Sequence, residues 1–135
     1  IRDAVQGKVL VDVTVPLRPP KVSRVWIPEG RSASEEAQAL LGPGVRVVCA
    51  FLNISAEPLQ DLDHTIDSDV LVCGDDAQAK AAAMELAARA RMRGVDAGPL
   101  QNAVVVEGLT AILIGINLRY KVKGAGVRIT GLPAA

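Results

Sequence analysis

The chain has 135 residues, half of them hydrophobic, and its 15 basic and 15 acidic side chains give a formal net charge of zero. This length is typical of one domain with a substantial core. With no basic excess and only 2% aromatic residues, it lacks the cationic surface and stacking side chains with which proteins bind nucleic acids. The composition therefore argues against nucleic acid as a partner and requires a core of Val, Leu, Ile and Ala.

The beginning of the chain resembles the interior of a longer protein. The first residue is Ile1 rather than Met, residues 1–8 read like the last turn of a helix before a strand, and no secretory signal is visible. We expect a segment of a longer polypeptide, the alternative being a protein that has lost only a few residues. Cys49 and Cys73 both lie in apolar runs, so we expect buried thiols in the reducing cytoplasm rather than a disulfide or metal pair.

Apolar runs alternate with helical patterns along the chain. The apolar runs predict strands at residues 8–15, 45–51, 69–74 and 95–98. A first helix is predicted at 32–41, capped by Ser32 or Ser34. A second helix is predicted at 75–94; it begins at Asp75 or Asp76, and its predicted packing face consists of Ala77, Ala81, Met84 and Ala88. Strand–helix–strand order with wholly apolar strands predicts an α/β fold with a parallel sheet and flanking helices, formed by residues 1–135 as one domain.

The last long element, residues 103–118, is apolar on several faces and carries one charge, Glu107. One stripe along the helix consists of Val105, Leu109, Ile112 and Ile116. The other faces are also apolar, with Val104, Leu113 and Ile114. A membrane span would need about 20 apolar residues with fewer polar ones, so we expect no membrane insertion. Such a helix is predicted to be central to the domain or to pack against a second subunit, as in a homodimer. The Gly-rich tail after it is predicted to be irregular.

A candidate binding site follows from the predicted sheet, because ligands of open parallel sheets bind at the carboxyl ends of the strands. This rule places residues 14–17, 52–56 and 97–103 on one edge. Asn53, Ser55 and Asn102 can hydrogen-bond to a polar ring edge there, and Pro16, Leu17 and Ile54 can lie against a flat face. The alternative is that these are turn residues that satisfy their own backbone.

Conventional catalytic and metal-binding patterns are missing from the sequence. The single histidine, His64, lies in a polar loop without a cysteine at metal-ligand spacing, and the aspartates around it lack the pattern of a calcium loop. Neither G-x-S-x-G nor a G-x-G-x-x-G after a first strand occurs. We therefore predict no catalytic side chain and no metal ligand.

Five long segments carry a family resemblance: residues 7–25, 34–42, 45–64, 67–80 and 96–133. Together they resemble the C-terminal part of the NADPH-dependent reductases of the deazaflavin coenzyme F420, and DVLVCGDD, DAGPL and INLRYKVKGAGVRITG are the most distinctive matches. The resemblance implies a Rossmann-like fold with a C-terminal helix, and it implies NADP and F420 as ligands. In this family an N-terminal Gly-rich loop binds the NADP phosphates, and that loop lies outside this chain.

The resemblance also implies how the site works. A hydride passes directly between the nicotinamide and the deazaflavin, so the protein orients two rings and supplies no catalytic side chain. Residues 52–56 would lie where the rings meet, with Ile54 against them and backbone amides near Ser55 and Ala56 on the carboxamide. Some members carry His or Gln where this chain has Leu52, which offers apolar contact without a hydrogen bond. The deazaflavin side would be lined by Val15, Pro16, Leu17, Gly124, Ala125 and Gly126.

Two alternatives stay open. One is a non-catalytic module that binds a flavin or deazaflavin, or that dimerises. The other is a different Rossmann-type NADP-dependent reductase that acts on a flavin or an imine. In either case we expect the isolated chain to lack NADPH-dependent reductase activity, because no phosphate-binding Gly loop is present. The cations at Arg18, Lys21, Arg24 and Arg31 lie on an irregular segment that cannot replace it.

Overall fold

The structure is a computed structural model that describes residues 1–133. Four strands form one sheet in the order β1-β2-β3-β4. The strands are β1 (Val9–Asp12), β2 (Arg46–Cys49), β3 (Asp69–Gly74) and β4 (Arg93–Asp96), and the helices are α1 (Ala33–Leu41), the single turn α2 (Ala56–Leu59), α3 (Ala77–Arg89) and α4 (Ala103–Tyr120). Short 3-10 turns occur at Asp3–Val5 and Leu100–Asn102. The predicted α/β class with flanking helices is confirmed.

The sheet is mixed, so the prediction of a wholly parallel sheet is wrong for its central pair. β1 pairs in parallel with β2, and β3 in parallel with β4, but β2 and β3 are antiparallel, with Cys49 opposite Cys73. A parallel pair needs a crossover that carries the chain back along the sheet, usually a helix. The connection between β2 and β3 contains only the single turn α2, and apolar strands carry no sign of their direction in their composition.

The two faces of the sheet bury separate apolar clusters. One cluster includes Leu41, Val47 and Val106, which join α1, β2 and α4. The other includes Val48, Val70 and Ala83, which join the opposite face of the sheet to α3. Helices thus cover both faces, and the carboxyl end of β2 lies between the two clusters.

Helix α3 differs from its prediction in its buried face and its end. Ala79, Ala83 and Ala87 are buried, whereas the predicted face of Ala77, Ala81 and Ala88 is exposed, because alanines occur on every side of this helix. The helix ends at Arg89, and Gly94, predicted as its last residue, lies in β4. A Cβ at Gly94 would lie 3.1 Å from the Met84 Cα, so a glycine there lets α3 approach the sheet closely.

For each of α1 and α3, the sequence offered two candidate cap residues; in the structure one of them caps the helix and the other contacts a distant part of the chain. The Ser32 side chain accepts a hydrogen bond from the Glu35 N–H and caps α1, while the Ser34 hydroxyl donates to Asp12 Oδ2 at 3.0 Å. Asp76 caps α3 by accepting from the Ala79 N–H, while Asp75 accepts from the Leu100 N–H at 3.0 Å. The second residue of each pair therefore connects its helix terminus to another part of the fold.

Glu107 holds the N-terminus of α1 against the middle of α4. Its carboxylate accepts from the N–H groups of Ala33 (2.7 Å) and Ser34 (3.2 Å), and the residue is 3% exposed. A helix N-terminus favours a negative charge. Burial raises the pKa of Glu107 all the same, because desolvation outweighs the two N–H donors, and the nearby Asp12 raises it further.

The predicted stripe of α4 is its exposed face. Ala103, Val106, Ala111 and Leu113 face the core, whereas Val105 is 73% and Ile112 49% exposed. Over Leu100–Tyr120 the chain is long and apolar enough to cross a membrane by length and composition alone, a test that core helices also pass. Because Glu107 and the buried face bind α4 to α1 and the sheet, the helix is an integral part of this fold.

Both cysteines are free and fully buried, which confirms the expectation of buried thiols. They lie opposite each other on β2 and β3. A hydrogen bond with Cys73 and burial both raise the pKa of the Cys49 thiol, so Cys49 stays protonated.

We predict that Glu107→Leu lowers the free energy of unfolding by about 1–3 kcal/mol, because it leaves the partly buried Ala33 N–H and the buried Ser34 N–H without an acceptor. Urea denaturation checks this. The raised pKa also has a pH signature: the folded state holds the proton more tightly than the unfolded state, so stability should fall as pH rises from the ordinary glutamate pKa through the raised one.

Glu107→Gln should remove that pH dependence, whereas Glu29→Gln, an exposed carboxylate, should keep it. Equal stability of Glu107→Leu and wild type at all pH values would contradict this role of Glu107.

Candidate functional site

Three segments meet at one edge of the sheet. β1 and β2 both end there, joined by the hydrogen bond from Ala50 N to the Asp12 carbonyl (3.3 Å), and β3 begins there. The tail after α4 returns to the same edge, where Asp69 N donates to the Val127 carbonyl at 2.7 Å. Residues 13–17, 50–56 and 124–129 therefore surround this edge, which we call the candidate edge.

Asn53 uses its side chain within the protein. Its Nδ2 donates to the Asp69 carbonyl (2.6 Å) and to Ser68 Oγ (3.5 Å), and its Oδ1 accepts from Leu71 N (3.4 Å). The residue is 3% exposed. The amide thus extends the pairing of β2 with β3 beyond the strands, which favours the alternative that Asn53 is a turn residue satisfied by backbone.

Leu52 is also turned inward. Its side chain is 5% exposed and belongs to the same cluster as Leu41 and Val106, and its carbonyl accepts from Thr110 Oγ1 at 2.7 Å. Phe51 has a positive φ of 66°, and Ile54 N donates to the Phe51 carbonyl at 3.2 Å, so the chain turns tightly here. The Leu52 side chain lies in the core rather than on the candidate edge.

Ile54 and Ser55 form the outward part of this turn. Ile54 is half-buried and, like Phe51 and Ile66, packs against the cluster that includes Val48 and Val70. Ser55 precedes α2 and does not cap it with its side chain. Neither the N–H nor the hydroxyl of Ser55 has a hydrogen-bond partner among residues 1–133, and Ala56 beside it is exposed. Ser55 therefore offers two unused polar groups at the candidate edge.

Val15, Pro16 and Leu17 leave β1 beside this turn. Asp12 Oδ1 accepts from both the N–H (2.9 Å) and the hydroxyl (2.6 Å) of Thr14, which fixes the direction of the chain after the strand. All three residues are half-buried, and Val15 packs against the α4 side of the core. They present apolar surface without a charged side chain.

The tail is held to the candidate edge by polar contacts. Ala125 N donates to Asn117 Oδ1 (2.9 Å), and Val127 N donates to Ser68 Oγ (3.1 Å). A Cβ on Gly126 would lie 2.7 Å from Ser68 Oγ, so only glycine fits this approach. Gly124 and Gly126 are exposed and Ala125 is half-buried, so this turn is accessible from solvent at the candidate edge.

Asp69 is the anchor of the tail. Its carboxylate is almost fully buried and pairs with Arg93 through contacts of 2.6 and 3.0 Å, and it accepts from Ile129 N at 2.6 Å. The Arg93 guanidinium, and after it the Ile129 N–H, hold the pKa of Asp69 below its usual value despite burial. This charge-assisted contact ties β3, β4 and the tail together.

Asn102 lies away from the other predicted site residues. Because β3 runs antiparallel to β2, the carboxyl ends of β3 and β4 lie at the opposite edge of the sheet, where Gly74 N donates to the Gly98 carbonyl. The Asn102 amide donates to the Ala97 carbonyl at 2.8 Å. The expectation that residues 97–103 share an edge with residues 52–56 is therefore wrong.

Sequence reasoning missed Ser68, Thr110 and Asn117, which hold the loops of the candidate edge in place. Their partners are distant in the chain, as in the Ser68 contact with Val127 over 59 positions, so no local pattern marks them. His64 is exposed, and its carbonyl accepts from Arg91. Within residues 1–133, no group of three or more His, Cys, Asp or Glu side chains is arranged to hold a metal ion.

The mixed sheet with helices on both faces and an apolar candidate edge defines a Rossmann-like α/β protein. The fold matches a crystal structure from Arthrobacter sp. FB24, provisionally assigned as an F420-dependent NADP reductase, with a TM-score of 0.80 and 24% identity over 96% of this chain and 60% of that one. No protein-family model matches the chain.

Proteins of similar sequence narrow the resemblance from a fold class to a family of enzymes. The F420-dependent NADP reductase of Methanocaldococcus jannaschii is 38% identical over 98% of this chain, and that of Methanothermobacter thermautotrophicus is 41% identical over 98%. The rat metalloreductase STEAP3 is 33% identical over 84% of the chain. The resemblance to F420-dependent NADP reductases is thereby confirmed, and the chain spans 60% of the length of these two reductases.

We predict that Asp69→Asn lowers the free energy of unfolding at pH 7 by roughly 1–3 kcal/mol, because the buried partner of Arg93 and Ile129 N loses its charge. The folded pKa of Asp69 is depressed, so its stabilising contribution is complete above the unfolded pKa and is lost as pH falls through the folded one. The difference between variant and wild type should therefore shrink in acid, as urea unfolding at several pH values would show.

Asp67→Asn is the matched control, since the Asp67–Arg128 pair is exposed and such pairs contribute little. A deficit of Asp69→Asn that is constant from neutral to acidic pH would show that its charge does not stabilise the fold.

Proposed function

We propose that this chain is the deazaflavin-binding part of an F420-dependent NADP reductase, and that the complete protein transfers a hydride between NADP(H) and F420. The observation that carries the proposal is 38–41% identity to three such reductases over 98% of the chain. Because the match runs almost from end to end, it includes every segment of the candidate edge. We expect this protein to act in the cytoplasm, without nucleic acid or membrane as a partner.

The candidate edge suits a reaction in which both reacting atoms belong to coenzymes. When bound, NADP(H) and F420 supply the hydride donor and acceptor, so the protein needs to position rings rather than provide a nucleophile. The edge offers half-buried apolar side chains and unused backbone groups, while the polar side chain of Asn53 is already satisfied. An apolar surface with a few oriented polar groups is typical of sites that hold flat ligands.

We assign the parts of the edge as follows. Val15, Pro16, Leu17 and the Gly124–Gly126 turn line the side of the deazaflavin that faces away from the nicotinamide, and the small residues of the turn allow a close approach of the backbone. Ile54 packs against the rings where the deazaflavin and the nicotinamide meet, and leaves the path between the two reacting atoms open. The N–H groups near Ser55 and Ala56 bind the nicotinamide carboxamide.

A second candidate is a reductase of the same fold with another electron acceptor. The match to a rat metalloreductase favours it, because that protein is named for a different acceptor and still aligns with 84% of this chain. Reduction of free flavin by the complete protein with NADPH, without reduction of F420, would establish this second candidate and refute the first.

We further propose that the complete protein is a homodimer that buries the exposed stripe of α4. Val105, Ile112 and Ile116 are all exposed on one side of this helix. Contiguous exposed apolar surface of this kind marks an interface with another protein, and two-fold pairing of identical surfaces is the commonest arrangement. The stripe faces away from Glu107 and the core, so pairing leaves the fold unchanged.

To test the assignment of Ile54, we predict that Ile54→Ala in the complete protein slows hydride transfer by roughly tenfold to a hundredfold, because a shift of about 1 Å between reacting atoms has an effect of that order. The affinity for NADP should stay within a few fold, since this turn has no cation for its phosphates. Single-turnover absorbance with a deuterated nicotinamide measures the step directly.

Ile66→Ala is the matched control: Ile66 is half-buried in the same cluster as Ile54, so it reports the packing loss alone. An unchanged transfer rate and isotope effect in Ile54→Ala, or loss of NADP binding instead, would show that Ile54 does not pack against the rings where the coenzymes meet.

To test the dimer, we predict that Ile112→Glu converts the complete protein to monomer or aggregate in sedimentation velocity, because it places a charge in a desolvated interface. Leu86→Glu on α3 is the control, since Leu86 and Ile112 are each 49% exposed but lie on opposite faces of the sheet. Monomeric wild-type protein, or equal dissociation by both variants, would refute the α4 interface.

A further inference from the structure

Ser68 lies where two loops of the candidate edge meet. It directly precedes β3 and is 8% exposed, and its hydroxyl has hydrogen-bond partners in both loops. From the turn after β2, Asn53 Nδ2 donates to Ser68 Oγ at 3.5 Å. From the tail, Val127 N donates to Ser68 Oγ at 3.1 Å, and the Val127 carbonyl lies 3.2 Å from the same oxygen. One buried hydroxyl therefore contacts two segments that are far apart in the chain.

The backbone of the tail lies directly against the Ser68 side chain. A Cβ added to Gly126 would lie 2.7 Å from Ser68 Oγ and 2.8 Å from Ser68 Cβ, which is too close for any side chain, so the glycine allows this approach. On the other side of the tail turn, Ala125 N donates to Asn117 Oδ1 of α4 at 2.9 Å. The turn at residues 124–126 is thus held between α4 and Ser68, and its distance from Asn53 is set through the Ser68 hydroxyl.

Both loops belong to the proposed ring site. Asn53 directly precedes Ile54, which is assigned to the place where the rings meet, and Val127 directly follows the turn assigned to the deazaflavin. Neither loop is held by Ser68 alone, because Asp69 binds Asn53 Nδ2 through its carbonyl (2.6 Å) and the tail through its carboxylate (2.6 Å). A neutral hydrogen bond contributes only modestly to stability. Loss of the Ser68 hydroxyl should therefore change the spacing of the two loops more than the stability of the fold.

We propose that Ser68 is a positioning residue for hydride transfer: its hydroxyl sets the spacing between the turn that carries Ile54 and the turn at residues 124–126, and so fixes how the deazaflavin lies against the nicotinamide. The inference rests on the proposed function and adds a residue that acts through two loops without touching either coenzyme. The transfer step is sensitive to such support, because a displacement of about 1 Å between reacting atoms slows a reaction on the order of a hundredfold. Binding is less sensitive, because the apolar surfaces that contact the rings keep their area.

The test uses Ser68→Ala in the complete protein and single-turnover absorbance with NADPH and F420. The rate constant of the transient reports the placement of the rings, whereas its amplitude reports the fraction of folded protein. Titrations give the dissociation constants of NADP⁺ and F420, and urea unfolding gives the stability. Ser32→Ala is the matched control, since the Ser32 hydroxyl is also buried but has its hydrogen bonds with Glu35 at the start of α1.

We expect Ser68→Ala to transfer hydride about tenfold more slowly at full amplitude, with unchanged affinity for NADP⁺ and an affinity for F420 within about threefold of wild type. The Ser32→Ala control should keep the wild-type rate constant. The double variant Ser68→Ala with Ile54→Ala should be slowed by less than the product of the two single effects, because both changes act on the same placement of the rings.

Other outcomes overturn the inference in distinguishable ways. A lower amplitude with an unchanged rate constant, or failure of Ser68→Ala to fold, would mean that Ser68 serves the fold alone. Effects of Ser68→Ala and Ile54→Ala that simply multiply would mean that Ser68 does not act through the turn of Ile54, and equal slowing by Ser32→Ala would mean that any lost buried hydroxyl has this effect. If wild-type protein transfers no hydride from NADPH to F420, the proposed function itself fails; if it does and Ser68→Ala keeps its rate constant, only this inference fails.

Discussion

The antiparallel pairing of β2 with β3 determines which loops of this protein lie next to one another. It places the beginning of β3 beside the end of β2, so that Asn53 can bind the Asp69 carbonyl and the tail can bind Ser68 and Asp69. The same pairing sends the loop after β4 to the far edge of the sheet. With a parallel pair, the tail and the turn after β2 would be anchored at different edges, and the candidate edge would not exist.

The polar side chains near this edge are largely committed to building it. Asn53, Ser68 and Asp69 are buried and hydrogen-bonded to backbone groups, and in the part of the chain that the structure describes no buried side-chain nitrogen or oxygen lacks a partner. Satisfied networks of this kind specify one arrangement of loops rather than many. What remains for a ligand is apolar surface and backbone N–H groups, which suits the proposed role of orienting coenzymes that perform the chemistry themselves.

Helix α4 links the fold to the proposed functions through its different sides. One side carries Glu107 and the core residues, and another carries the exposed stripe that includes Ile112. Glycines at positions 108 and 115 allow Val25 and Ser23, from the segment between β1 and α1, to approach the helix. A helix with little difference in polarity between its sides has no sequence signal for which side is buried. Its low content of charged residues therefore reflects several contacts rather than a single buried environment.

The sequence by itself determined the positions of the strands and main helices, because apolar runs, caps and glycines act over a few residues; β3 was predicted at its observed bounds of 69–74. It also determined the family resemblance, which implies that the turn after β2 is part of the site. Only the tertiary structure decided the direction of β3, the buried sides of α3 and α4, and the separation of Asn102 from the candidate edge. It alone showed that the Asn53 amide is used internally. These features depend on contacts between residues distant in the chain, and a pattern of residue types encodes neither the direction of an apolar strand nor the partner of a polar side chain.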